Sequence, residues 1–170
     1  MTVGTIRFSM LGIGLAALVG NASPAFAGGA SGPVGAVAVR PLSLVNTEDL
    51  DFGSLIAGTT AGTVTISANT GARTTTGGVT TAGGTPKRAE FVGAGRPGRL
   101  IIVILGASPA LTNGAGGSMA LSLAVQGGIG PRILPANGVQ TIRVGGTINV
   151  RANQQEGNYT STFTLTVIYL

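Results

Sequence analysis

The chain has 170 residues, with 30 glycines, no cysteine, no histidine and no tryptophan, and only 9% of it is charged. Globular domains usually carry about 25% charged residues, so this chain must be stabilised by apolar burial and backbone pairing, with no disulfide to help. One lysine, Lys87, and five acids give no placed acid–base pair and no activated nucleophile, so an enzyme is not expected.

The chain opens on MTVGTIRFSMLGIGLAALVGNASPAFA. Arg7 supplies an early positive charge, Met10 to Val19 is apolar, and Ala25-Phe26-Ala27 is an A-x-A site. This is the pattern of a secretory signal peptide, residues 1–27, cleaved after Ala27. Its apolar run is shorter than the roughly 20 residues that span a bilayer. Export is therefore expected.

Gly28 to Arg40 follow as an extension of small residues, with Gly35, Val37 and Val39 on one alternating face. From Pro41 to Leu170 the chain reads as one domain of short strands. The candidates are GAVAVRPLSLV, LDFGSLIAG, GTVTISA, RAEFVGAG, GRLIIVILG, SMALSLAVQ, VQTIRVGGTINVRA and the terminal segment. Clusters of Gly, Asn, Pro and Thr separate them. The Thr/Gly tract from Thr74 to Thr85 reads as a loop or a weak edge strand. No window holds a 3.6-residue period after the signal peptide. Such spacing predicts an all-β antiparallel sandwich or barrel.

Four short motifs could carry chemistry. GAGRPG, Gly93 to Gly98, satisfies G-x-G-x-x-G. That fingerprint binds phosphate where a strand precedes it and a helix follows. Here Pro97 interrupts it and another strand follows, so it reads as a hairpin turn. Lys87, Arg88, Arg96 and Arg99 form a modest basic patch with no stacking aromatics, so no nucleic-acid partner is expected. Glu48, Asp49 and Asp51 could begin a Ca²⁺ site, but the fixed loop signature of such sites is missing. They read as a turn, and no metal, cofactor or small-molecule substrate is expected. LPANG, Leu134 to Gly138, also reads as a turn.

The terminal segment GNYTSTFTLTVIYL is the most informative stretch. Tyr159, Phe163, Leu165, Val167 and Tyr169 alternate with threonines, which predicts a strand from Asn158 to Tyr169. At about 3.3 Å per residue it would run about 40 Å. An exposed edge is normally blunted by charge or proline. This one has neither, so another strand is expected to cover it.

Here the sequence resembles a known family. Subunits of chaperone–usher pili end in a strand with glycine fourteenth from the C-terminus, alternating apolar residues and a penultimate tyrosine. Gly157 and Tyr169 stand at those places, and Phe163, Leu165 and Val167 supply the alternation. LDFGSL, Leu50 to Leu55, is similar to the early Phe-Gly motif of these subunits and of spore-coat-U-like secreted proteins. The pattern over nearly the whole mature length is similar to an uncharacterised family of secreted bacterial domains. The resemblance implies an immunoglobulin-like sandwich of the pilin and adhesin type that lacks its last strand. It implies a fimbrial or coat subunit that polymerises head to tail with itself, served by a periplasmic chaperone and an outer-membrane usher. Strand addition of this kind draws affinity from main-chain hydrogen bonds and specificity from alternate side chains. The acceptor would be Gly157, Tyr159, Phe163, Leu165, Val167 and Tyr169, and the donor Gly35, Val37 and Val39. The chain departs from the pattern in having no cysteine and a donor of small residues. Two other readings stand beside it. One is a monomeric secreted β-sandwich that binds a glycan or protein ligand. The other is a small outer-membrane β-barrel, which needs several strands of about ten residues.

Overall fold

The computed structural model describes residues 41–170. The expected signal peptide, residues 1–27, and the Gly28–Arg40 extension lie outside the described residues. Ten strands make up the described secondary structure: β1 Ser43–Glu48, β2 Ser54–Ile66, β3 Arg73–Gly83, β4 Ala89–Ala94, β5 Leu100–Leu105, β6 Leu111–Thr112, β7 Ser118–Val125, β8 Gly130–Ile133, β9 Val139–Val150 and β10 Leu165–Tyr169. Every strand pairing is antiparallel. The strands form two open sheets rather than one closed barrel.

The larger sheet is organised by β9. Val139 to Val144 pair with β4, Gly146 to Val150 pair with β2, and Val144 to Gly146 and on to Asn149 also pair with β7. A strand has two edges. Because β7 shares residues with both β4 and β2, those two must follow each other along the opposite edge. Gly145 sits at the changeover. A Cβ there would run into the Ile66 carbonyl oxygen and the Ala68 amide nitrogen, so only glycine lets the two backbones approach. β1 adds outside β4, β3 outside β2, and β6 outside β7. The smaller sheet has the order β10-β5-β8.

Period-two burial makes two linked cores. One lies between the smaller sheet and the β4 half of β9, around Ala89, Ile101, Val103, Leu134, Ile142, Val144 and Leu165. The other lies under the β2 half of β9, around Phe52, Val64, Ile66, Val79, Met119, Ile148 and Val150. Leu50 and Leu123 touch both. The all-β antiparallel sandwich read from the sequence is what the strands form.

The outer face of β2, β3 and β9 carries threonines opposite one another. Thr63 and Thr76 hydroxyls are 2.7 Å apart, and those of Thr65 and Thr147 are 2.9 Å apart. Such cross-strand pairs each add a few tenths of a kcal/mol to about 1 kcal/mol. This explains the Thr/Gly tract: Thr76 is the edge-strand half of the first pair, and Thr74 lies opposite Thr65 in the register.

Several boundaries differ from the sequence reading. GAGRPG is not a hairpin turn. β4 and β5 belong to different sheets, and the segment crosses between them. LDFGSLIAG and GTVTISA merge into one β2 of 13 residues, with an irregularity between Ala57 and Gly62. The terminal strand is much shorter than expected, with five residues in β10. β6 and β8 have too few residues to show a period, and the sequence did not reveal them.

Charge adds one feature on the larger sheet. Glu90 lies opposite Arg143 in the register and accepts hydrogen bonds from Arg143 at 2.8 Å and Arg88 at 3.1 Å. The Arg143 hydrogen bond holds the Glu90 carboxyl below its ordinary value of 4.5, with Arg88 helping. A lowered carboxyl pKa stabilises the fold above the unfolded-state value, and that stability is lost as pH falls through the native value. The pair is partly solvated, so the effect is small. Wild type is expected to lose a little more stability than Glu90→Gln between pH 5 and pH 2, about half a kcal/mol at most. Urea unfolding at the two pH values measures it.

Candidate functional site

The candidate site is the edge strand β10 and the chain leading into it. Alternation sorts β10 into two faces. Leu165 is 8% exposed. Val167 and Tyr169 share its face and pack on the same core. Thr166 and Ile168 face outward. β10 pairs with β5 from Leu165 opposite Leu105 to Tyr169 opposite Ile101. Among the described residues, β5 is the one strand that β10 pairs with.

The two ends of β10 are fixed differently. At its far end, the Tyr169 hydroxyl accepts a hydrogen bond from the Arg96 amide at 2.8 Å. Gly95 lies under that hydroxyl, and a Cβ at Gly95 would collide with it. At the near end, the Gly106 amide donates to the Thr164 carbonyl at 2.8 Å. There the ladder stops. Phe163 turns inward and meets Phe91 edge to face, with ring centroids 5.9 Å apart.

Gly157 and Tyr159 are therefore not part of the strand that holds Leu165, Val167 and Tyr169. They belong to an irregular segment held by Tyr159. Its hydroxyl donates to the Gln155 carbonyl at 2.7 Å and accepts from Gln154 at 2.8 Å. Its ring packs on the second core. Gly157 has φ +149°, a backbone region that favours glycine, and faces Asn113. A single bridge, Thr160 with Thr112, joins this segment to β6. Gly35, Val37 and Val39 lie outside the described residues.

Beside this segment opens a cleft of about 520 Å³. One wall is Leu50 to Ala57, the other is Gln154 to Tyr159, and the floor includes Phe52, Met119, Ile148 and Val150. The Phe-Gly motif thus supplies a wall and part of the floor. The sequence showed that motif but not what it would face, because Met119 and Ile148 join it only through the pairing of β7 with β9.

The acidic turn offers little chemistry. Glu48 is paired with Lys87 at 2.6 Å, Asp49 accepts from Asn46, and Asp51 accepts from the Gly53 amide. Among the described residues, no cluster of acidic side chains could hold a metal ion.

The family described as "Domain of unknown function (DUF4402)" matches residues 42–169. The chain belongs to the DUF4402 family. The match begins just before β1 and ends at Tyr169, so the DUF4402 domain takes in all ten strands, both cores and the β10 edge. No curated protein and no solved structure matches the chain.

Proposed function

We propose that this DUF4402 protein is a structural subunit of a bacterial surface fimbria or coat, exported and then assembled head to tail by strand donation. Strand order carries the reading. An immunoglobulin-type sandwich pairs its strands A-B-E-D in one sheet and C-F-G in the other. Here β1-β4-β9-β7 follow A-B-E-D, and β5-β10 follow C-F. The β2–β3 hairpin, β6 and β8 are additions to that plan. No described strand takes the place of G, which belongs beside β10. The reading has Gly28–Arg40 of one copy supply that strand to the next, with Val37 and Val39 entering the groove over Leu165 and Val167. A contact of this head-to-tail kind need not close, and gives a filament. A periplasmic chaperone and an outer-membrane usher are the partners this assembly implies.

A second reading is favoured by the cleft. A pocket of this size with an apolar floor and a polar rim is an ordinary ligand site, and a monomeric secreted sandwich could hold a glycan or protein ligand there.

A synthetic Gly28–Arg40 peptide tests the choice. At about 100 times its Kd, a ligand that binds only the folded state adds about 2.7 kcal/mol. For a domain of this size the melting temperature should rise by about 5–10 °C. No shift at saturating peptide, together with a monomer at all concentrations, would turn the reading towards the binding module.

A further inference from the structure

The outer face of the smaller sheet is apolar and uncovered among the described residues. Strand register puts Leu100 opposite Ile133, and Ile168 opposite Ile102, which lies opposite Pro131. Leu170 follows on the same face, its amide donating to the Leu100 carbonyl at 3.0 Å. Nine large hydrophobic side chains are exposed among the described residues, and six of them are Leu100, Ile104, Ile129, Ile133, Ile168 and Leu170, all on this sheet or its lead-in. Ile129 and Ile133 are each 67% exposed. Single exposed apolar residues need no explanation, but a contiguous group marks a contact surface.

Charge around the face is one-sided. Arg96 and Arg99 stand exposed on the segment that enters β5, at the end where Leu100 and Leu170 lie. Arg132 on β8 is turned the other way: it lies opposite the buried Ile101, and its guanidinium donates to the Gln126 and Gly128 carbonyls. Neither Arg96 nor Arg99 forms an ion pair among the described residues. The acidic side chains are elsewhere: Glu48, Asp49, Asp51 and Glu90 lie on or beside β1 and β4, and Glu156 lies near the cleft. No Asp or Glu occurs between Arg96 and Arg151.

We infer that this face docks on an anionic bilayer surface. Its area decides against a second copy. Three strands of about five residues span roughly 14 by 17 Å, on the order of 250 Å² in plan, whereas a stable protein interface buries about 800 Å² on each partner. Interfacial binding to lipid requires less. It sums a few inserted aliphatic side chains with the attraction of basic residues for anionic headgroups. The face is separate from the β10 edge, so this inference does not depend on strand donation.

Vesicle co-sedimentation of the full chain, as recovered from expressing cells, tests it. The vesicles are phosphatidylcholine alone, and phosphatidylcholine with phosphatidylglycerol. The parent should bind the anionic vesicles at least about thirtyfold more tightly than the neutral ones. Arg96→Gln with Arg99→Gln should lower anionic binding by about thirtyfold and leave neutral binding unchanged. Ile104→Ser with Ile133→Ser should lower both by about tenfold or more. All four positions are exposed, and an unchanged melting temperature confirms that each variant folds. Equal binding of the parent to both vesicle types overturns the inference, as does binding that neither variant alters. A patch variant that turns a dimer into a monomer and leaves vesicle binding intact overturns it too.

Discussion

Leu165→Ala is expected to lower the unfolding free energy by about 2–5 kcal/mol. The side chain is 8% exposed and packs in the core shared by the smaller sheet, β4 and β9. Truncation removes its transfer energy and leaves a cavity that a paired strand cannot close. Domains of this size are stable by only about 5–15 kcal/mol, so the variant loses a large share of the total. The outward neighbour provides the contrast. Ile168 is 42% exposed, and Ile168→Ala should cost about 0.5 kcal/mol or less. Urea unfolding of the two variants measures the difference. Equal losses would mean that β10 does not present Leu165, Val167 and Tyr169 to the core, and the groove beside it would be misassigned.

That face assignment was legible in the sequence, and the length of the strand was not. Alternation shows which side chains share a face. It does not show how far a partner runs alongside. The partner, β5, ends at Leu105, and Ala107 to Ala110, with Pro109 among them, lead the chain away. Proline has no amide to donate to a ladder. Among the described residues, the segment from Thr160 to Thr164 pairs only through the Thr160–Thr112 bridge and the Gly106–Thr164 hydrogen bond, and Tyr159 ties its own segment into a local turn instead.

The same distinction explains the other differences. β5, β7 and β9 were visible because each is rich in β-branched and aliphatic residues and bounded by turn residues, and β4 because Phe91 and Val92 stand between turn clusters. The pairing of β9 with three strands was not, because Gly145 reads as an ordinary strand-weakening glycine. Only its contacts with Ile66 and Ala68 show it as the point where one neighbour gives way to another. The GAGRPG segment could be read as a turn, but not as a crossing between sheets, since local chemistry does not reveal which strands a turn joins. The cleft was illegible for the same reason. Its walls, Leu50 to Ala57 and Gln154 to Tyr159, are about a hundred residues apart in the chain and meet only in the fold.

Strand donation between copies has a direct chemical test, because the chain has no cysteine of its own. Val37 and Val39 are assigned to the groove, so Ala36 and Ala38 would alternate outward, beside the outward-facing Thr166 and Ile168 of β10. Neighbouring strands place opposed Cα atoms about 4.5–5.5 Å apart, within the range of about 4.4–6.8 Å that a disulfide bridges. The measurement is oxidation of two mixed single-cysteine chains, one carrying Ala36→Cys or Ala38→Cys and the other Thr166→Cys or Ile168→Cys, read on a non-reducing gel. Strand donation predicts a covalent dimer from at least one mixed pair, and a ladder of multimers when both cysteines of that pair are placed in one chain. A doubly substituted chain that closes on itself as an internally bridged monomer at every concentration would contradict it, and so would the absence of any cross-link in all four pairings.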